Sequence, residues 1–176
     1  DDNNEVMFNH HLVKDTVYKS IRPSTRSKLH AVIGTSRERL EKTEPNKELN
    51  DSIKEILAFH FAKAAGLSPT YLGKAFQNYW DLALKNVGKH DDLAKHFAEE
   101  LIKTGEKHEK DISKIADDKI ISYYPRINLI VGDILLRNRK YIETSKFALK
   151  TLENVKIIKN ASNRRLNKAR GFNLFG

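Results

Sequence analysis

The fold is decided by residues 8–41, FNHHLVKDTVYKSIRPSTRSKLHAVIGTSRERLE, where apolar side chains recur at helical spacing on both sides of a proline. The apolar positions are Leu12, Val13, Val17 and Ile21 before the proline, and Leu29, Val32, Ile33 and Leu40 after it. Because Pro23 interrupts helical hydrogen bonding, the pattern predicts two amphipathic helices. Leu12, Val17, Ile21 and Leu29 are interpreted as core, and Tyr18 and His30 as packing or capping residues. Ser24 and Thr25 are N-cap candidates for the second helix. A short strand is expected ahead of them, over residues 6–8.

The remainder of the chain predicts further helices, delimited by capping and turn residues. The first is a helix over 47–65, with Asn46 as N-cap and Gly66 as C-cap. The next has Ser68 as N-cap, begins at Pro69 and ends at Gly88. Three more are predicted: one that begins with residues 90–92, one over 120–138 and one over 139–158. Residues 103–118 are strongly charged, with Ile112 and Ile115 as apolar anchors. They are interpreted as a connecting helix or loop.

An aromatic stripe follows Pro69 and admits two interpretations. It consists of Tyr71, Phe76, Tyr79 and Trp80. A cage for a ligand is one possibility, but the spacing is that of residues packed along one helix, so a core role is favoured.

The composition indicates an all-α protein. The 176 residues include only four prolines and eight glycines, which suits long helices and leaves little room for a turn-rich β fold. There is no cysteine, no apolar run near the roughly 20 residues that a membrane-spanning helix needs, and a polar, acidic N-terminus. These features predict a cytoplasmic protein without a membrane span.

The net charge of +9 is spread over helices in which lysines alternate with acidic residues, a pattern typical of solvated surfaces. The exception is the segment 160–176. It contains Arg164, Arg165, Lys168 and Arg170, which are candidate contacts for an anionic partner. The alternative is that this segment begins a further helix.

No catalytic, cofactor or metal motif is recognisable in the sequence. It lacks a glycine-rich phosphate loop with its lysine, a Gly-x-Ser-x-Gly motif and any thiol nucleophile. His10 and His11 are adjacent, and His90 and His96 lack the i, i+4 spacing of a helical zinc pair. We therefore expect a non-catalytic protein that carries no cofactor or metal.

Residues 8–41 also resemble a segment that follows the ATPase core in signal-transduction ATPases of the STAND class, including those fused to class III adenylate or guanylate cyclases and to transcription regulators. The matching residues are Phe8, His10, Leu12, Val17, Tyr18, Ser20, Arg26, Leu29 and His30. In that family the segment closes a winged-helix region and leads into a superhelix of tetratricopeptide-like helical hairpins.

The resemblance implies three regions: a winged-helix remnant with junction helices over 1–44, a tetratricopeptide-like array of stacked antiparallel hairpins over 45–159, and a basic tail over 160–176. A weak tetratricopeptide spacing recurs in Val131, Gly132, Leu135, Tyr141, Thr144, Ala148 and Leu152. The implied function is a protein-interaction or regulatory module of a larger signalling ATPase or nucleotide cyclase, binding a protein partner or its own catalytic domains. The alternative is a basic helical domain that binds nucleic acid.

Overall fold

The computed structural model describes residues 10–41 and 50–157, and within these ranges the chain is all-α, with no strand. The predicted all-α fold class is therefore confirmed. The strand expected at 6–8 and the basic tail at 160–176, with Arg164, Arg165, Lys168 and Arg170, lie outside the described residues. None of the described helices has the combined length and apolar character needed to cross a lipid bilayer.

Eight α-helices follow one another along the described chain. They are α1 (His10–Ser20), α2 (Pro23–Glu41), α3 (Asp51–Ala64), α4 (Pro69–Asn86), α5 (Asp91–Lys107), α6 (Glu109–Ile112), α7 (Asp118–Arg137) and α8 (Tyr141–Asn154). Short 3-10 turns, Ala65–Leu67 and Val155–Ile157, follow α3 and α8.

Two predicted helix starts were wrong. The helix α2 begins at Pro23, one residue before the N-cap candidates Ser24 and Thr25, because proline has no amide hydrogen to lose and its backbone angle already suits a first helical position. The helix α3 is capped by Asn50, whose side-chain oxygen accepts a hydrogen bond from the Ile53 amide at 2.9 Å. Asn50 is in an extended conformation as the N-cap, and α3 begins at Asp51. The predicted cap Asn46 and the predicted start Lys47 lie outside the described residues.

The connection from α3 to α4 follows the prediction at only one end. Ser68 caps α4, because its hydroxyl accepts a hydrogen bond from the Thr70 amide at 3.2 Å, and Pro69 is the first helical residue, as predicted. Gly66 is not a C-cap. It lies inside the 3-10 turn that extends α3, so the tighter turn satisfies the last helical carbonyls in place of a left-handed glycine.

The charged region 103–118 is both helix and loop. The helix α5 continues to Lys107, α6 adds one turn, and Ile112 and Ile115 are buried as the predicted anchors. The interpretation of this region as a connection with two apolar anchors is confirmed.

The main core is built around aromatic residues of α4 and α7. Trp80 stacks on Tyr123 with ring centroids 4.7 Å apart, and Phe76 stacks on Tyr124 at 5.7 Å. Phe76, Tyr79 and Trp80 are buried, and Tyr71 is half-buried against Phe61. The preference for a core role over a ligand cage is confirmed for this stripe.

The helices pack mostly against their neighbours in the chain: α2 on α3, α3 on α4, α4 on α5, α5 on α7 and α7 on α8, with a further contact between α4 and α7. This order places α2 and α8 at the two ends of the succession. The outward surfaces of these end helices are therefore the ones that the succession itself does not cover.

Candidate functional site

The helix α2 buries a face made of small residues and a histidine. His30, Ala31 and Gly34 are buried. A β-carbon at Gly34 would lie 2.9 Å from Cε1 of Phe61, so the glycine lets α2 and α3 approach closely. The large ring of Phe61, which is fully buried, fills the space between the two helices.

The opposite face of α2 exposes its large apolar side chains. The exposed fractions are 47% for Leu29, 63% for Val32, 47% for Ile33 and 62% for Leu40. These four residues are called the apolar face of α2 from here on. The prediction that Leu29 is a core residue was wrong, and so was that for Val17 of α1, which is 56% exposed.

The physical reason is that the spacing of apolar residues identifies an apolar face of a helix but does not determine whether another helix covers that face. In α2 the close approach at Gly34 made the face of small residues the one that fits against α3. Ile21 is half-buried, and the side chain of Leu12 lies outside the described residues.

Basic residues border the apolar face of α2. Lys28 and Arg39 lie one helical turn before and two turns after Val32, on one side of the face. Arg37 borders the other side, one turn after Ile33, and forms an ion pair with Glu41 at 2.9 Å. Glu38 points away from this face, since it forms an ion pair with Lys74 of α4. The surface is thus apolar along its centre and mostly positive along its edges.

Beside this face, the first three helices are joined by a chain of polar contacts. The hydroxyl of Tyr18 on α1 lies 2.9 Å from Nε2 of His30 on α2, and Nδ1 of His30 lies 2.9 Å from Nδ1 of His60 on α3. One Nδ1 must donate and the other must accept, so this contact requires at least one neutral imidazole. His30 is buried, as expected of a packing residue, whereas Tyr18 is 39% exposed.

The environment favours the neutral form of both imidazoles. Burial lowers the pKa of His30 below its usual value, and the charges of His60, Lys63 and Arg26 lower it further. Burial also lowers the pKa of His60. A neutral pair is one of the states that allow the contact between the two Nδ1 atoms.

A polar cavity of about 240 Å³ lies next to the tyrosine–histidine chain. It is lined by Tyr18, Pro23, Arg26, Ser27, His30, Lys63 and Lys107, so that α1, α2, α3 and α5 all contribute. The guanidinium of Arg26 lies 4.9 Å from the centre of the Tyr18 ring, and the ammonium of Lys63 lies 5.4 Å from that of Phe59.

The sequence-based candidates for an anionic partner, Arg164, Arg165, Lys168 and Arg170, lie outside the described residues. The side chains of His10 and His11 are also not described. Across 10–41 and 50–157, no three histidine or carboxylate side chains come together as metal ligands would.

The cavity residues were missed at the sequence level because Arg26, Lys63 and Lys107 belong to three different helices. No spacing rule connects such distant positions. The only sequence signal near the cavity was the resemblance carried by Tyr18, Arg26 and His30.

Comparisons of the chain with protein-family models, with curated proteins and with solved structures found no match.

Proposed function

We propose that this chain is a non-catalytic protein–protein interaction module of a larger cytoplasmic signalling ATPase or nucleotide cyclase, and that it binds its partner through the apolar face of α2. The observation that carries the proposal is the exposure of Leu29, Val32, Ile33 and Leu40 along one helix. A continuous apolar stripe on an end helix is the kind of surface that a protein partner covers.

The packing order supports a tetratricopeptide-like superhelix as the scaffold. In such an array, both helices of one hairpin contact the first helix of the following hairpin. The contacts of α4 with α5, of α4 and α5 with α7, and of α7 with α8 have this form. Thr144 lies close to the backbone of α7, since its hydroxyl donates to the Gly132 carbonyl at 3.4 Å, whereas Tyr141 of the predicted repeat set is 64% exposed.

The chemistry of the surface favours one class of partner, an amphipathic helix with acidic flanks. Its apolar side chains would pack on Val32 and Leu40, and its carboxylates would lie beside Lys28, Arg39 and Arg37. Opposite charges at the rim of an interface favour the correct partner and exclude basic ones. The partner is thus a protein segment, in another chain or in the protein's own catalytic domains.

The test uses designed peptides as probes. Two labelled helices share one leucine seam, and one carries glutamate flanks while the other carries lysine flanks. We expect saturable one-to-one binding of the glutamate peptide by fluorescence anisotropy. Burying a valine or leucine is worth about 1.5–3 kcal/mol, so Val32→Ser and Leu40→Ser should each weaken binding by about tenfold or more.

The matched control is Ile142→Ser on α8, since Ile142 is 75% exposed and lies outside the proposed surface. Equal binding of both peptides, or an equal loss in the control, contradicts the proposal. Self-association that Val32→Ser abolishes would assign the face to a second copy instead. Binding of mixed-sequence DNA or RNA that strengthens as salt falls would support the nucleic-acid alternative.

A further inference from the structure

The 240 Å³ cavity beside α2 collects three cations without a matching carboxylate. Arg26, Lys63 and Lys107 line it, and they come from α2, α3 and α5. The ion pairs found within the described ranges involve other residues, and none includes any of these three. Like charges held around one space repel each other, so the site favours an anion that neutralises them.

The start of α2 adds to this positive field. Pro23 and Ser27 line the cavity, so the first turn of a 19-residue helix borders it. That turn contains no acidic residue, and the positive end of the helix dipole is therefore not offset by a side chain of its own first turn.

Neutral hydrogen-bonding groups complete the lining. Tyr18, Ser27 and His30 also line this cavity, and His30 is only 7% exposed. The contacts of His30 with Tyr18 and His60 hold its ring in place. Both ring nitrogens of His30 are used in these contacts, so the donors for phosphate oxygens are the cations and the Ser27 hydroxyl.

A second, smaller cavity lies beside the first. It has a volume of about 90 Å³, shares Lys63 and Lys107 with the first cavity, and is also lined by Phe59, Thr104 and the ion pair of Lys103 with Glu100 at 3.4 Å. A water occupies roughly 30 Å³ of liquid, so the larger cavity has room for a phosphate group and several waters. The smaller cavity gives an organic substituent a place beside it.

We propose that this cavity is a phosphate-binding site, in which Arg26, Lys63 and Lys107 hold the phosphate group of a small molecule at the first turn of α2. The ligand class is inorganic phosphate or a small phosphate monoester. The site is separate from the apolar face of α2, and its occupancy does not depend on the partner proposed for that face.

The test is calorimetric titration of the full chain with inorganic phosphate and with glycerol phosphate, at ionic strength matched with chloride. We expect one-to-one saturable binding of one or both ligands. Tighter binding of the monoester would assign the site to an organic phosphate, and equal or weaker binding would assign it to the free ion. Lys63→Gln and Lys107→Gln should each weaken binding by about tenfold, the loss expected for one charged hydrogen bond.

The matched control is Lys95→Gln, which removes one positive charge from α5 away from the cavity and should bind like the parent chain. Lys63 and Lys107 are exposed, and Lys95 is half-buried in an ion pair with Glu99 at 3.7 Å on the same helix. Circular dichroism checks that all three variants fold. Absence of saturable binding for both ligands, or equal weakening by the control, would overturn the proposal. Neither result bears on peptide binding at the apolar face of α2.

Discussion

Gly105 of α5 lies directly against the ring of Tyr124 of α7, so closely that a β-carbon at residue 105 would overlap the ring atoms Cδ2 and Cε2. Tyr124 is itself held by Phe76 of α4, whose ring stacks on it. One glycine therefore sets the distance between α5 and α7 in the main core.

Gly105→Ala should destabilise the chain, because neither the Tyr124 ring nor α7 has free space to move into. Overpacking of this kind costs about 1–3 kcal/mol, measurable by urea unfolding. The control is Gly73→Ala in α4, where the nearest atom to a new β-carbon is 3.4 Å away. Removing a helical glycine there should be neutral or stabilise by about 0.5–1 kcal/mol. Equal stability of the two variants would contradict the close packing at Gly105.

The histidine pair should make the chain less stable in mild acid. The folded-state pKa values of His30 and His60 are lowered from 6.5, mainly by burial, while the unfolded values stay near 6.5. Below pH 6.5 the unfolded chain therefore binds more protons, so stability is complete above that pH and falls as the pH drops. Denaturant midpoints measured between pH 7 and pH 5 should show this fall.

The double variant His30→Asn with His60→Asn should show a smaller loss of stability between pH 7 and pH 5 than the parent chain. Part of the dependence of stability on pH should remain, because burial also lowers the pKa of His108. His90→Asn, at an exposed position, serves as the control. An unchanged slope in the double variant would show that the pair does not titrate in the way described.

Asn128 in α7 is fully buried with an unused acceptor. Its amide nitrogen donates to the Tyr124 carbonyl at 3.3 Å, but its Oδ1 has no hydrogen-bond partner among the described residues. Asn128→Leu removes that unmet acceptor and should be neutral or stabilise by about 1 kcal/mol. Asn128→Asp keeps the shape but buries a carboxyl group, and should destabilise strongly at neutral pH. Thermal melts of the two variants check both expectations, and a stabilising aspartate would show that a cation or a hydrogen-bond donor lies beside residue 128.

The cap of α4 gives a prediction that depends on one hydroxyl. Ser68→Ala removes the acceptor for the Thr70 amide and should cost about 1 kcal/mol in the free energy of unfolding. Ser68→Asn retains a capping oxygen and should stay close to the parent. If the alanine and asparagine variants unfold at the same denaturant concentration, the cap contributes nothing measurable.

Local signals in the sequence determined much of the helical organisation. Ser68 and Pro69 specify a helix start by hydrogen-bonding chemistry that needs no distant partner. The composition excluded a β-rich chain, and the spacing of Phe76 and Trp80 indicated core packing. These features were predictable because neighbouring residues alone produce them.

Local signals failed where two of them compete. Asn46 and Asn50 are both capable caps, and only the bond from the Ile53 amide shows that residue 50 is used. Gly66 has a glycine's freedom to cap α3, yet the chain continues there as a 3-10 turn.

Tertiary structure alone decided which face of α2 is buried and which residues form the phosphate-binding cavity. Leu29 and Gly34 lie on opposite faces of one helix, and the close approach to Phe61 selected the face with the glycine. Arg26, Lys63 and Lys107 meet only because three helices pack together. The reason is physical. Helix formation depends on residues that are close in sequence, whereas the burial of a face and the grouping of charged side chains depend on contacts with residues distant in sequence.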